Sequence, residues 1–334
     1  MAAIRLRSPR YRNTVCTATH LSVKMVINIS GSDVYTIIKD SVADQKNLFE
    51  YAELCRDYIS INWTGSYSGW SPQSGIAIRT TITYHAGANG TGSAVTTGVT
   101  GGGTVTQYGF DAYSDYVEGA NEDIMDEDLT ISNYTQATGG AKTYTIYVPK
   151  NTSGNVPYMN SNADAIVYVA FATNATSVTV SADTVNIVRY HCNKYDVIPI
   201  DFVNKFGAIQ REYFTLKSVE NVKVNRENFK RNIISSTGTY TINKHNIQNF
   251  NITANEEMTV NSDYLPEYYN QVFTELLLSN QVWAYIKSFS TNSFTAIPIN
   301  IANSNLTYKT QVNDRLINFT FSFKMSFDYI NNVR

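Results

Sequence analysis

The chain has 334 residues, more than a single core usually serves, so two domains are expected. Charged residues make up only 16% of it, against 43% hydrophobic residues, 24 Tyr and a net charge of −2. This balance argues against a dedicated nucleic-acid binder, which carries a basic excess, and moves surface recognition onto hydrogen bonds and amphipathic rings.

Residues 1–15 carry Arg5, Arg7, Arg10 and Arg12 beside Pro9, which disfavours helix around Ser8. They read as an extended arm whose arginines are candidate contacts to an acidic neighbour or to phosphate, or else as a solvated terminus. Strands are expected at Leu21–Ile29 and Val34–Ile38, turning at Gly31-Ser32-Asp33. Apolar residues recur at helical spacing from Asn47 to Ile59 and predict a short amphipathic helix. The loop that follows holds Trp63, Tyr67 and Trp70 between glycines, aromatics suited to an interface or to stacking on a sugar ring.

Strand character resumes at Ile76–Tyr84. Seven glycines crowd residues 87–103, and eight acidic residues with no basic one occupy 111–128. Together 87–128 read as a flexible insertion or long hairpin tip, since such composition buries little apolar surface. Strands return at Tyr144–Val148, Ala165–Thr173, Ser177–Ser181 and Val185–Tyr190. A boundary near residue 190 separates one β domain, 16–190, from a second, 191–334.

In the second, Ile200–Phe214 predicts a hairpin turning at Asn204–Gly207, because Asn and Gly tolerate positive φ. Asp263, Pro266 and Glu267 are start signals for a helix over about 265–279. Strands at Val282–Ile286, Ile297–Ile301 and Leu306–Val312 follow, with Asn313-Asp314 turning into a last strand. That strand, Asn318–Tyr329, alternates strictly, with Phe319, Phe321, Phe323, Met325, Phe327 and Tyr329 on one side. The fold class is therefore mainly β: two antiparallel β-sandwich-like domains with one or two short helices.

Chemistry is hard to find. Three scattered cysteines, Cys16, Cys55 and Cys192, make neither a disulfide framework nor a zinc cage. The four histidines have no metal-ligand spacing, and Gly65–Gly69 places Tyr67 where a nucleophile elbow needs serine. His191 and Cys192, being adjacent on an extended chain, face opposite ways. No catalytic residue, metal ligand or cofactor site is expected, so the chain is not read as an enzyme. No apolar run suits a membrane span, and the N-terminal residues lack the apolar core of a signal peptide.

Three stretches stand out as architectural: F-V-N-K-F-G-A at Phe202–Ala208, running on to Arg211; L-L-L-S-N-Q-V-W ending at Trp283; and K-T-Q-V-N-D-R-L-I-N-F at Lys309–Phe319, which contains Asn313 and Asp314. In this order, with F-D-A-Y-S-D-Y-V-E-G-A-N upstream at Phe110–Asn121, they resemble virion structural proteins of tailed bacteriophages, as in marine and gut phages. Lys205 and Arg315 stand at the family's basic positions, while Phe319 replaces its tyrosine. The resemblance implies a neck, tail or baseplate subunit, made in the host cytoplasm and built into the virion. Its implied partners are copies of itself and other virion proteins, with neither membrane nor nucleic acid among them. A receptor- or carbohydrate-binding fibre or spike component is the alternative expectation.

Overall fold

A computed structural model of the protein describes residues 2–16, 21–41, 45–65, 69–116, 129–132, 143–180, 182–191, 194–287, 293–302 and 316–329. Among them the fold is mainly β, with several antiparallel sheets and two short α-helices. The chain opens with β1 (Ala2–Arg5), β2 (Tyr11–Cys16), β3 (Leu21–Ile29), β4 (Ser32–Ser41) and β5 (Lys46–Glu50). After α1 (Ala52–Arg56) come β6 (Gln73–Ser74), β7 (Ile76–Ala86), β8 (Ala94–Val95), β9 (Val99–Thr100) and β10 (Gly103–Phe110). Then follow β11 (Thr143–Pro149), β12 (Gly154–Met159), β13 (Ala165–Phe171), β14 (Ser177–Val180) and β15 (Asp183–Tyr190). The remainder forms β16 (Ile198–Val203), β17 (Ile209–Phe214), β18 (Val219–Lys230), β19 (Ile247–Asn261), β20 (Leu265–Pro266), α2 (Asn270–Leu278), β21 (Val282–Lys287), β22 (Phe294–Ile301), β23 (Leu316–Ile317) and β24 (Thr320–Met325).

Two compact units result. One comprises Met1–His191, Asp201–Arg211 and Gln271–Asn280; the other comprises Cys192–Ile200, Glu212–Asn270 and Gln281–Arg334. The first break falls beside the boundary expected at 190, but two short segments return to the first unit.

In the first unit, β1-β10-β7-β3-β4 form a sheet, with β8 beside β7. Leu21, Val23, Met25, Ile27 and Ile29 of β3, with Ile78, Ile82 and Tyr84 of β7, turn one face into a core with Phe49, Tyr51 and Cys55. A smaller sheet, β5-β2-β9, lies over it: the Tyr84 hydroxyl donates to the Thr100 carbonyl at 2.7 Å, and Arg12 Nη1 to the Thr80 carbonyl at 2.9 Å. The β3–β4 turn uses Ser30 (φ 50°) and Gly31 (φ 98°), a left-handed pair suited to a tight hairpin. The glycine-rich stretch joins β7 to its antiparallel partner β10 and carries β8 and β9 on the way.

In the second unit, the sheet order is β17-β16-β21-β22-β24-β19-β18, and all seven strands contribute residues to that unit. Phe321 and Phe323 of β24 are buried on one face, and Phe321 stacks on Phe214 at 5.7 Å between centroids. Burial ends at Met325; Phe327 and Tyr329 are exposed, so the alternation outruns the core.

Several expectations are corrected. Lys46–Glu50 is a strand: Phe49 is buried, Leu48 exposed, and the segment pairs with β2 from Tyr11↔Glu50 to Val15↔Lys46. Only five helical residues follow, since cross-strand pairing outcompetes a weak helical period. The later helix starts at Asn270 after a single 3-10 turn, not near 265. Asp263 accepts from its neighbour Tyr264 N–H at 2.7 Å and caps nothing, and Pro266 is extended (ψ 153°). Not every pairing is antiparallel, because β1–β10 and β11–β15 run parallel. The segment read as an arm is built into the body: β1 pairs with β10 and β2 with β5 and β9. Leu306–Val312 and the turn residues Asn313 and Asp314 lie outside the described residues.

Candidate interaction surface

The longest ladder among the described residues is not foreseen from the sequence. Strands β18 and β19 pair antiparallel from Val219↔Thr259 to Lys230↔Ile247. Register shifts between Glu227 and Asn228, leaving Phe250 as the extra residue on β19, beside Phe229 with ring centroids 5.9 Å apart. The C-terminal end of β19 belongs to the core sheet: Met258 and Val260 are buried, and Glu257–Asn261 pair with β24. The rest runs on as a ribbon without cover. All twelve residues of β18 and the first six of β19 are exposed.

The ribbon tip is held by its own hydrogen bonds. Ser235 N–H donates to the Thr239 carbonyl at 2.8 Å, and Gly238 N–H to the Ser235 carbonyl at 3.0 Å. The hydroxyls of Ser235, Thr237 and Thr239 lie within 3.2 Å of one another. Behind this turn is a cleft of about 440 Å³ lined by Arg231, Ile234, Lys244, His245 and Gln248. From Lys223 to Ile252 the sequence holds five Lys and Arg against one acid, Glu227.

Large apolar groups stand in water along its length: Ile242 is 90% exposed, Ile247 64%, Phe250 61%, and Val222, Val224 and Ile252 over two fifths. Single exposed apolar residues are ordinary, but six of them along one ribbon make it the candidate interaction surface of the described residues. At the root, Glu256 is hydrogen-bonded to Glu220, and that bond, with desolvation and the like charge, pushes its carboxyl up to about 7.

The β16–β17 hairpin is a second hub, within the first unit. Gly207 has φ +82°, where a Cβ would lie 3.2 Å from the Asp111 backbone, so glycine serves both conformation and space. Asn204 is not in the left-handed region. Its side-chain oxygen accepts the N–H groups of Phe206 (3.0 Å) and Ala208 (3.1 Å), and its amide donates to the Thr130 carbonyl at 2.8 Å. Gln210 accepts the Ser132 N–H at 2.8 Å. Glu275 of α2 accepts from Ser132 Oγ and from Lys205 N–H at 3.1 Å, and burial pushes its carboxyl up.

Arg211 grips Asp201 with a fork, Nε to Oδ1 at 2.6 Å and Nη2 to Oδ2 at 2.9 Å, both side chains almost wholly buried. Trp63 Nε1 donates to Asp201 at 3.4 Å, and Trp70 lies under the Arg211 guanidinium (5.2 Å) with its ring edge-to-face against Tyr168. These two tryptophans, expected at an interface or under a sugar, are half-buried in this network, and one face of Trp70 is occupied. Tyr67 lies outside the described residues. Trp283 is buried in β21, opposite Pro298.

The four arginines are engaged by their own chain. Arg5 donates to the Tyr113 carbonyl (3.2 Å) and lies 5.4 Å from the Phe206 ring; Arg7 donates to the Leu278 carbonyl at the end of α2 (2.9 Å). Arg10 is buried against Tyr51, and Arg12 reaches carbonyls of Thr80, Gly101 and Gly103. An arm free to dock these groups on a neighbour is thus replaced by strands that need them at home.

Burial pushes the Cys55 thiol up to about 12, which leaves negligible thiolate at neutral pH. Among the described residues no group of three or more His, Cys, Asp and Glu could hold a metal, and no helix is long and apolar enough to cross a membrane. Compared with protein-family models, curated proteins and solved structures, the chain matches none.

The Asp201–Arg211 pair predicts a large stability effect. Removing one partner of a buried ion pair costs about 3–5 kcal/mol, so Arg211→Ala lowers the unfolding free energy by that order in urea titrations followed by tryptophan fluorescence. A change below about 1 kcal/mol contradicts the role given to this fork. The carboxyl pair predicts a titration. In the dilute chain, the Glu256 side-chain carbon shift measured by NMR has its midpoint at about 7, and Glu220→Gln returns it toward the ordinary carboxylate range. Because the folded-state value is raised, the stability tied to this proton is full below the ordinary carboxylate pKa and lost as pH rises through about 7.

Proposed function

We propose that this chain is a structural subunit of a tailed-phage virion, repeated in a ring or sleeve at the neck, tail or baseplate and joined through subunit interfaces. The observation that carries the reading is the uncovered β18–β19 ribbon, with apolar side chains from Val222 to Ile252 held in water. An isolated two-stranded hairpin is marginal in water, and an apolar one aggregates unless a partner takes it up. In an assembling protein the same feature is an asset, because the uptake is the function. Low charge and abundant Tyr and Asn suit permanent contacts, which are poor in charge and commonly bury about 2,000 Å² or more. The sequence resemblance supplies the virion setting.

Its partners are copies of itself and other virion proteins, and its place is the assembled particle. The test is mass spectrometry of purified virions of the source phage, with antibody labelling seen by electron microscopy. The chain is expected at many copies per particle, with label confined to the neck, tail or baseplate. Particles that lack it, or label on the fibre tips alone, overturn the reading.

A further inference from the structure

Strand β18 is the outermost strand of its sheet, and among the described residues no other strand lies on its far side. Its ladder bulge is carried by β19, so β18 itself runs unbroken for twelve residues. It contains no proline, and all of its residues are exposed. Natural edge strands are usually short, bulged, interrupted by proline or charged, devices that stop another strand from adding on. Of these β18 has only its charges, and the charges oppose addition only where like meets like.

Its sequence, Val219-Glu220-Asn221-Val222-Lys223-Val224-Asn225-Arg226-Glu227-Asn228-Phe229-Lys230, also has a hidden symmetry. Lys223 and Glu227 stand two residues either side of Asn225, and Glu220 and Lys230 five either side. We propose that β18 pairs antiparallel with β18 of a second copy of this chain, across a two-fold axis at Asn225, to join the two sheets into one. In that register Lys223 lies directly opposite Glu227 of the second copy, and Glu220 opposite its Lys230. The two-fold repeats each contact, so four opposite-charge pairs form from four of the strand's five charges. Val222 and Val224 then continue one face into Asn228 and Arg226 of the second copy.

Neighbouring registers are poorer. Centring on Val224 opposes no unlike charges, and centring on Arg226 sets that cation against itself. Isologous contacts of this kind are the ordinary way identical subunits meet. Strand addition further satisfies outward N–H and C=O groups that no described strand pairs. The inference rests on reading the chain as an assembling subunit and names the element that joins one copy to the next.

The test uses the full chain in sedimentation velocity across a concentration series. Lys223→Glu places like charges opposite each other twice and is expected to weaken self-association about tenfold. The exchanged double variant, Lys223→Glu with Glu227→Lys, restores opposite pairs and is expected to recover wild-type association. Both positions are exposed, so circular dichroism should not change. As a positive probe, Asn225→Cys brings two Cα atoms about 4.5–5.5 Å apart across the axis, within disulfide reach, and should give a covalent dimer on mild oxidation. Self-association that ignores the charge exchange, with no cross-link at Cys-substituted Asn225, overturns this pairing and leaves the assembly reading standing. A chain that stays monomeric throughout overturns both. Charge-dependent pairing by a chain missing from virions keeps the pairing and removes the virion.

Discussion

A backbone N–H or C=O group must find a partner, in the protein or in water, and among the described residues the outer edge of β18 pairs with no strand. Most of the molecule obeys the opposite economy. In the first unit, β1 and β2 spend their arginines on carbonyls and rings of their own chain, and Arg12 alone reaches three backbone oxygens. In the second, β24 is paired on both sides, by β22 and β19. Against this background the ribbon is an exception that the sequence maintains over some forty residues. Its tip is ordered by a hydroxyl-lined turn and its middle by a ladder. An extension already held in shape leaves little to order in the association proposed for it.

The two ends of β19 show how this is achieved. From Met258 onward its apolar residues enter the core beside Phe321 and Phe323, and this anchors the strand. Before Ala254 the pairing continues with β18 alone. Stability flows outward from the core through one continuous strand, and β18 inherits it through the ladder. The carboxyl pair Glu220 and Glu256 sits where cover gives way to solvent. The raised Glu256 carboxyl links the ribbon's root to pH near neutrality.

The fold class was legible because period-two alternation is a strong signal. The alternation of Leu21–Ile29 gives the observed bounds of β3, and that of β24 gives its buried face. The errors have physical causes. Asn47–Ile59 has a helical spacing of apolar residues, but Phe49 is wanted in the core and Leu48 is not, so pairing with β2 decided the first half. The helix-start signals at Asp263 and Pro266 were spent on an extended turn, and the helix began only when Tyr269, Val272 and Phe273 had a surface to cover. Asn204 was expected to supply positive φ and instead supplies a side-chain acceptor, leaving φ to Gly207.

The interaction surface was the least legible part. Arginine and tryptophan are the residue types that dominate interfaces, yet here burial claims Arg5, Arg10 and much of Trp63 and Trp70. The ribbon's own residues, chiefly Asn, Val and scattered charges, have no compositional flag. Its signals were local: β-branched residues at 219, 222 and 224, and the turn-forming run Ser235–Gly238. The symmetry of charge about Asn225 acquires meaning only once β18 is known to be an outer strand. Whether that edge is covered by copies of the chain is read most directly by amide hydrogen exchange at rising protein concentration. Amides of Val219–Lys230 that point away from β19 should become protected as concentration increases, while those of β24 stay unchanged. Exchange along β18 that remains fast and concentration-independent in an assembled form would contradict it.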